Sequence, residues 1–203
     1  MPKIVDHDER REEILQAAMR VICTVGLDGT TMRAIAREAG YSNGGLSHYF
    51  ADKDDILRSV LVMTHRRSVE RRAQALAGKS ALDRLWALLL DNLPLDEERS
   101  VETLMEMTFW PRAVSSPELR DFQHEAAHAL LADLRRLIGE VRAAGQLASH
   151  LTDADLAEVL MGLIDGFSVH YELFPDRLPP VDQERLMLAQ LEAFGFAVAK
   201  LNP

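Results

Sequence analysis

The chain has a single cysteine, no apolar run approaching the roughly 20 residues that a membrane-spanning helix needs, and no segment with the period of two expected of a strand. Each shortage removes a class of protein. Cys23 cannot close an internal disulfide, and its apolar neighbours on an expected helix assign it to the core as a small, inert thiol suited to a reducing cytoplasm. The opening Met-Pro-Lys-Ile-Val-Asp-His-Asp is charged from the start, unlike a signal peptide, so we expect the chain to stay in the cytoplasm and away from membranes. Neither a glycine-rich phosphate loop nor a nucleophile with its base and orienting partner is evident. The chain therefore resembles no common enzyme class and implies no cofactor.

Apolar residues are plentiful. At 203 residues and 47% hydrophobic, the chain can pack one or two domains and is too apolar to be disordered. Its net charge of −9 is unevenly spread: residues 1–67 carry ten Lys/Arg and ten Asp/Glu, the rest thirteen and twenty-two. A neutral first part can still meet phosphates if its cations share a face, whereas the acidic remainder points away from nucleic acid.

Helical periodicity runs almost throughout, so we expect an all-α fold. A first helix spans about Asp8 to Val25 with Ile14, Leu15, Ala18, Val21, Ile22 and Val25 on one stripe, and Gly26 and Gly29 end it. Thr31 caps a short helix over Met32–Ala39, which Gly40 terminates; Ser42 caps Asn43–Tyr49; Asp52 and Asp55 open a long helix from Lys53 to Ala77. Further helices are expected over Ala81–Asn92, Glu97–Trp110, Pro117–Ala144, Asp153–Leu173 and Val181–Leu201, broken at Pro94, Pro111, Gly145 and the Pro-containing stretch 174–180.

Residues 30–53 carry the most information. Two short helices joined by a Gly-containing turn suit a helix-turn-helix, whose second helix enters the major groove N-terminus first and so needs small, polar residues at its start. Ser42, Asn43, Gly44, Gly45, Ser47 and His48 meet that need, while Ile35, Ala36, Ala39, Leu46 and Phe50 lock the helices together. Asn43 can pair with adenine through two hydrogen bonds, and Ser47 and His48 can reach base edges or phosphates. Thr31, Arg33, Tyr41, Tyr49 and Lys53 are candidate phosphate contacts that fix register without reading sequence. Two glycines in one short helix cost roughly 1 kcal/mol each, to be offset by close approach or special geometry. The alternative is an ordinary helix pair with a solvated polar face.

The spacing Thr31-x-x-x-Ile35-Ala36-x-x-Ala39-Gly40-Tyr41-Ser42-x-Gly44-x-Leu46-x-x-Tyr49-Phe50-x-x-Lys53-x-x-Ile56-Leu57 resembles the signature of TetR-family transcriptional regulators. Ser-His-Tyr-Phe at 47–50 and the overall layout are similar to the subgroup containing the choline-responsive repressor BetI. Tyr41 departs from the family's usual Val, and Gly45 stands at a variable, often base-facing position. The resemblance implies a DNA-binding domain over 8–53 and a ligand-sensing, dimerising domain over 54–201. It further implies a homodimeric repressor of a double-stranded operator, released by a small-molecule inducer, with the last two long helices paired across the dimer.

Independent features agree. Val159, Leu160, Leu163, Phe167, Leu186, Leu188, Leu191, Phe194 and Val198 offer more apolar surface than a lone helix pair covers. Gly162 and Gly166, one turn apart, would admit a neighbouring helix, either from a partner or from the same chain. Trp86, Met105, Phe109, Trp110 and Phe122, with His128, Phe167, His170 and Tyr171, are candidate ligand contacts. Glu106 lies four residues before Trp110, a pairing that suits a cationic inducer.

His124-Glu125-Ala126-Ala127-His128 spells the H-E-x-x-H pattern of zinc proteases. A protease also needs a third ligand and usually a strand edge for its peptide, and His150, His170 and Glu172 are loose candidates only; we expect no metal site and no enzyme. A helical dimer that binds another protein is the remaining alternative.

Overall fold

The computed structural model describes residues 7–76 and 78–201, without the side chains of Asn43 and of 74–76. Among the described residues it is all-α. The helices are α1 (His7–Gly29), α2 (Met32–Ala39), α3 (Asn43–Leu46), α4 (Lys53–Leu76), α5 (Ala81–Asp91), α6 (Glu97–Ser115), α7 (Pro117–Ala143), α8 (Asp153–Leu173) and α9 (Pro180–Ala193), with a 3₁₀ turn at Val198–Lys200. The expected end of α4 at Ala77 lies outside the described residues.

Side-chain caps set the helix starts. Thr31, Ser42, Ser80, Asp96, Ser116 and Thr152 each accept a hydrogen bond from the backbone N–H three residues on, satisfying a donor the helix leaves unpaired. At α4, Asp52 accepts from the Asp55 N–H at 2.8 Å while Asp55 reaches back to the Ala51 N–H at 3.0 Å.

Five expectations need correction. α3 stops at Leu46 rather than Tyr49, and residues 47–49 continue as turns. Cys23 is exposed, not a core thiol. Val25 is also exposed, just before Gly26 leaves the helical path with a φ of 71°. Pro111 does not end its helix; α6 runs on to Ser115. The expected C-terminal helix also breaks: α9 ends at Ala193, and Gly195 (φ 92°) lays Phe196 against Leu147 in an isolated bridge. A side chain at Gly195 would meet the Ala148 carbonyl oxygen at 2.4 Å, so both its φ and its neighbour exclude other residues there.

The chain divides into two compact units, residues 1–67 with 104–111, and residues 68–103 with 112–203. α4 begins in the first and ends in the second. Ile14, Ala17, Ala18 and Ile22 of α1, Ile35 and Ala36 of α2, Leu46, Phe50, and Ile56, Leu57 and Val60 of α4 are buried in the first unit. The second is built on α5, α7 and α8, whose Leu82, Leu85, Leu89, Leu134, Leu137, Ile138, Leu156 and Leu160 share one core. α9 adds Met187 and Leu191. Leu160 and Leu191 are thus consumed inside the unit rather than left for a partner.

Candidate nucleic-acid interface

The turn between α2 and α3 depends on one glycine. Gly40 adopts a left-handed φ of 73°, and the Tyr41 N–H donates to the Ala36 carbonyl at 2.8 Å, closing α2 and redirecting the chain. Ile35, Ala36, Leu46 and Phe50 are buried, so the apolar residues expected to clamp the two helices do so, with Ala39 half-buried beside them. Arg11 of α1 lies over the Phe50 ring at 4.1 Å and donates to the Tyr49 carbonyl, securing the end of the recognition segment.

With its apolar side so occupied, the segment turns its polar residues outward. Ser42, Gly44, Ser47 and His48 are exposed, as are Thr31 and Arg33; Tyr41, Gly45, Tyr49 and Lys53 are half-buried. The side chain of Asn43 lies outside the described residues. Tyr49 sits between His7, with ring centroids 4.8 Å apart, and Tyr41, edge-on at 6.0 Å. Those contacts leave the tyrosines less free than independent phosphate hooks would be.

The glycines of α3 differ. Neither takes a positive φ. At Gly45 a side chain would press on Ser42 Oγ at 3.3 Å and Tyr41 Cδ1 at 3.4 Å, so local packing explains it and ties it to the capping Ser42 and to Tyr41. At Gly44 a side chain would meet nothing within 4 Å. Nothing inside the chain requires that glycine.

Thr31, Arg33, Ala34, Arg37 and Tyr41 line an open depression on α2. Arg37 was missed in the sequence, although its place four residues after Arg33 puts both cations on one side of a helix. Among the described residues no acid pairs with either, whereas Arg20 is paired with Glu38 at 2.7 Å and Arg67 with Glu12 at 2.7 Å. Two unpaired guanidinium groups beside hydroxyls suit a phosphate.

The candidate ligand residues divide between the units. Met105 and Phe109 are buried in the first, with Trp110 half-buried and Glu106 exposed. In the second, Trp86 is buried in the core and Phe167 packs against it. Phe122 is half-buried, and Tyr171 Oη lies 3.3 Å from the Ser100 hydroxyl that donates to it. His128 and His170 are exposed; His170 stands edge-on to Phe174 at 6.2 Å. His124 and His128 have ring centroids 6.3 Å apart on the exposed face of α7, and no third metal ligand joins them among the described residues.

Comparison with known proteins agrees with the geometry. Residues 14–60 match the tetR family of bacterial regulatory proteins, and residues 81–195 match the C-terminal region of BetI-type transcriptional repressors. The chain is 31% identical to the HTH-type transcriptional regulator PksA of Bacillus subtilis over 95% of its own length and 93% of that protein's. It is 31% identical to the HTH-type transcriptional regulator BetI of Serratia proteamaculans, over 82% of each. In fold it resembles a putative transcriptional regulator from Saccharomonospora viridis solved in complex with choline: TM-score 0.87, 23% identity, 93% of this chain and 98% of that one.

Proposed function

The chain belongs to the TetR family of transcriptional regulators, in its BetI-type branch, and is no enzyme; on that basis we propose that it is a homodimeric repressor released from its operator by a small organic cation. The observation that carries the proposal is the outward face of residues 31–53, where the exposed Ser42, Ser47, His48 and bare Gly44 stand at the start of a recognition helix flanked by Arg33 and Arg37. No helix among the described residues is long and apolar enough to cross a membrane; the proposed role at an operator supports a cytoplasmic location.

Residues 8–53 form the DNA-binding domain and 54–201 the sensing and dimerising one, with α4 as the covalent link. Dimerisation through α8 and α9 is supported by Gly162 and Gly166, both exposed with nothing within 4 Å of an added side chain, so packing inside the chain does not account for them. Val159 is 41% exposed and Leu163 half-buried on the same helix. Repression requires the two recognition segments about 34–36 Å apart, facing successive major grooves. An inducer weakens DNA binding by preferring another spacing, by no more than its differential affinity, and DNA weakens inducer binding equally.

A cationic inducer is favoured by Glu106 and Trp110, one turn apart on α6, and by the choline complex of the Saccharomonospora protein. The first test is a mobility shift with DNA from beside the protein's own gene, followed by selection from a random duplex pool. A two-half-site duplex retained against scrambled competitor is expected; no preference for any duplex would overturn the assignment. Calorimetry with choline on Glu106→Gln tests that contact.

A further inference from the structure

α8 treats its carboxylates in two ways. Near its start, Asp153 meets Arg142 of α7 at 2.8 Å and Glu158 meets Arg135 of α7 at 2.9 Å. Toward its end, Asp165 and Glu172 are half-buried and, among the described residues, have neither an ion pair nor a hydrogen bond. Burial alone pushes both carboxyls above the ordinary carboxylate range. Between them is Ser168, only 6% exposed, whose hydroxyl likewise has no hydrogen-bond partner among the described residues.

Spacings of three and four residues place Asp165, Ser168 and Glu172 on one stripe of the helix, its outer members about 10 Å apart along the axis. Partly desolvated carboxylates without a counter-charge are costly in the empty protein, and the Ser168 hydroxyl leaves its bonding capacity unused within the chain. A ligand bringing positive charge and N–H donors recovers both.

We propose that Asp165, Ser168 and Glu172 form a site for an elongated polyamine, with one terminal ammonium at each carboxylate and an interior ammonium N–H donating to Ser168 Oγ. This rests on the cationic-inducer proposal and narrows it. A compact monocation such as choline neutralises one of two carboxylates about 10 Å apart, whereas an extended polyamine reaches both.

The test is calorimetric titration of the full-length protein with spermidine, choline and hexylamine at physiological salt, where weak attraction to surface acids is screened. Spermidine binds at least about tenfold tighter than either monocation, and Asp165→Asn and Glu172→Gln each weaken it by about tenfold or more. Ser168→Ala weakens it less, and Glu125→Gln, an exposed acid of α7, leaves it unchanged. The Asn and Gln variants are near-isosteric and relieve a buried charge, so they fold; circular dichroism and thermal melting verify this. Spermidine binding no tighter than choline overturns the proposal, as does unchanged spermidine affinity in both Asp165→Asn and Glu172→Gln. No DNA enters this measurement, so it stands apart from the regulatory assignment. A duplex preference in the mobility shift together with spermidine binding no tighter than choline leaves the regulatory assignment standing and overturns the site.

Discussion

The two units leave opposite charges unpaired at their candidate sites. In the first, Arg33 and Arg37 face outward without an acid, although neighbouring arginines are paired. In the second, Arg71, Arg84, Arg135, Arg136 and Arg142 all hold carboxylates, and the charges left over on the inner flank of α8 are Asp165 and Glu172. A folded chain can neutralise its own charges at little cost, so a desolvated or clustered charge left unmatched marks where something else supplies the match. On the two proposals made above, one unit awaits an anion and the other a cation.

The sharpest way to break this contrast is to delete the cations. Replacing Arg33 and Arg37 together by Ala is expected to weaken operator binding by about 100-fold and to flatten the salt dependence of affinity by about one unit of slope per residue, read by fluorescence anisotropy across a salt series. An unchanged slope would mean that neither arginine meets a phosphate.

Next in size is Arg71, the opposite case of a charge fully used. Its guanidinium grips Glu102 through two hydrogen bonds of 2.7 Å and Asp91 through a third of 2.7 Å, tying the end of α4 to α5 and α6. The bond to Glu102, above all, holds it more firmly protonated than a free arginine. Arg71→Met should cost about 1–3 kcal/mol in chemical denaturation, because two largely buried carboxylates lose their partner. Arg135→Ala, at an exposed pair, should stay within about 0.5 kcal/mol.

Gly44→Ala separates fold from function. With open space and no positive φ at this position, the substitution should stabilise the free protein by up to about 1 kcal/mol, seen as a higher melting temperature, while lowering operator affinity. Improved stability with unimpaired DNA binding would show that no duplex backbone approaches there.

The smallest effect concerns Asp165 and Glu172 in the ligand-free protein. Burial raises both carboxyls, so the native state holds their protons to higher pH than the unfolded chain does. Their unfavourable contribution is therefore full above the raised native values and disappears below the ordinary carboxylate range. Asp165→Asn with Glu172→Gln should melt slightly higher than wild type at neutral pH, the gap closing as pH falls through that window. A gap that widens on acidification would contradict the assigned cause.

Much of this architecture is local and therefore legible in the residue order. Thr31 and Ser42 as caps, Gly40 as a left-handed terminator, and Ile35, Leu46 and Phe50 as the clamp each depend on neighbours within a few positions or on one helical period. The failures share a cause. Pro111 looked like a stop, yet α6 continues through it; α9 looked continuous, yet Ala148, distant in sequence, leaves room for nothing but Gly195. Cys23 and Val25 took their expected burial from apolar neighbours, but which side of α1 faces inward is settled by what packs against it. At the candidate sites, Arg37 was within reach of a spacing argument, since it stands one helical turn after Arg33. The separate roles of Gly44 and Gly45 were not, because adjacency in sequence says nothing about which neighbour has Tyr41 against it.

The residue order alone determined the helical class, the recognition segment and its turn, since propensity, capping and apolar period act over short distances. Only the tertiary structure decided which charges are matched. Pairing Arg142 with Asp153 and Arg135 with Glu158, while leaving Asp165 and Glu172 without arginines, depends on how α7 lies along α8, and electrostatic partnership is a property of distance in space rather than along the chain.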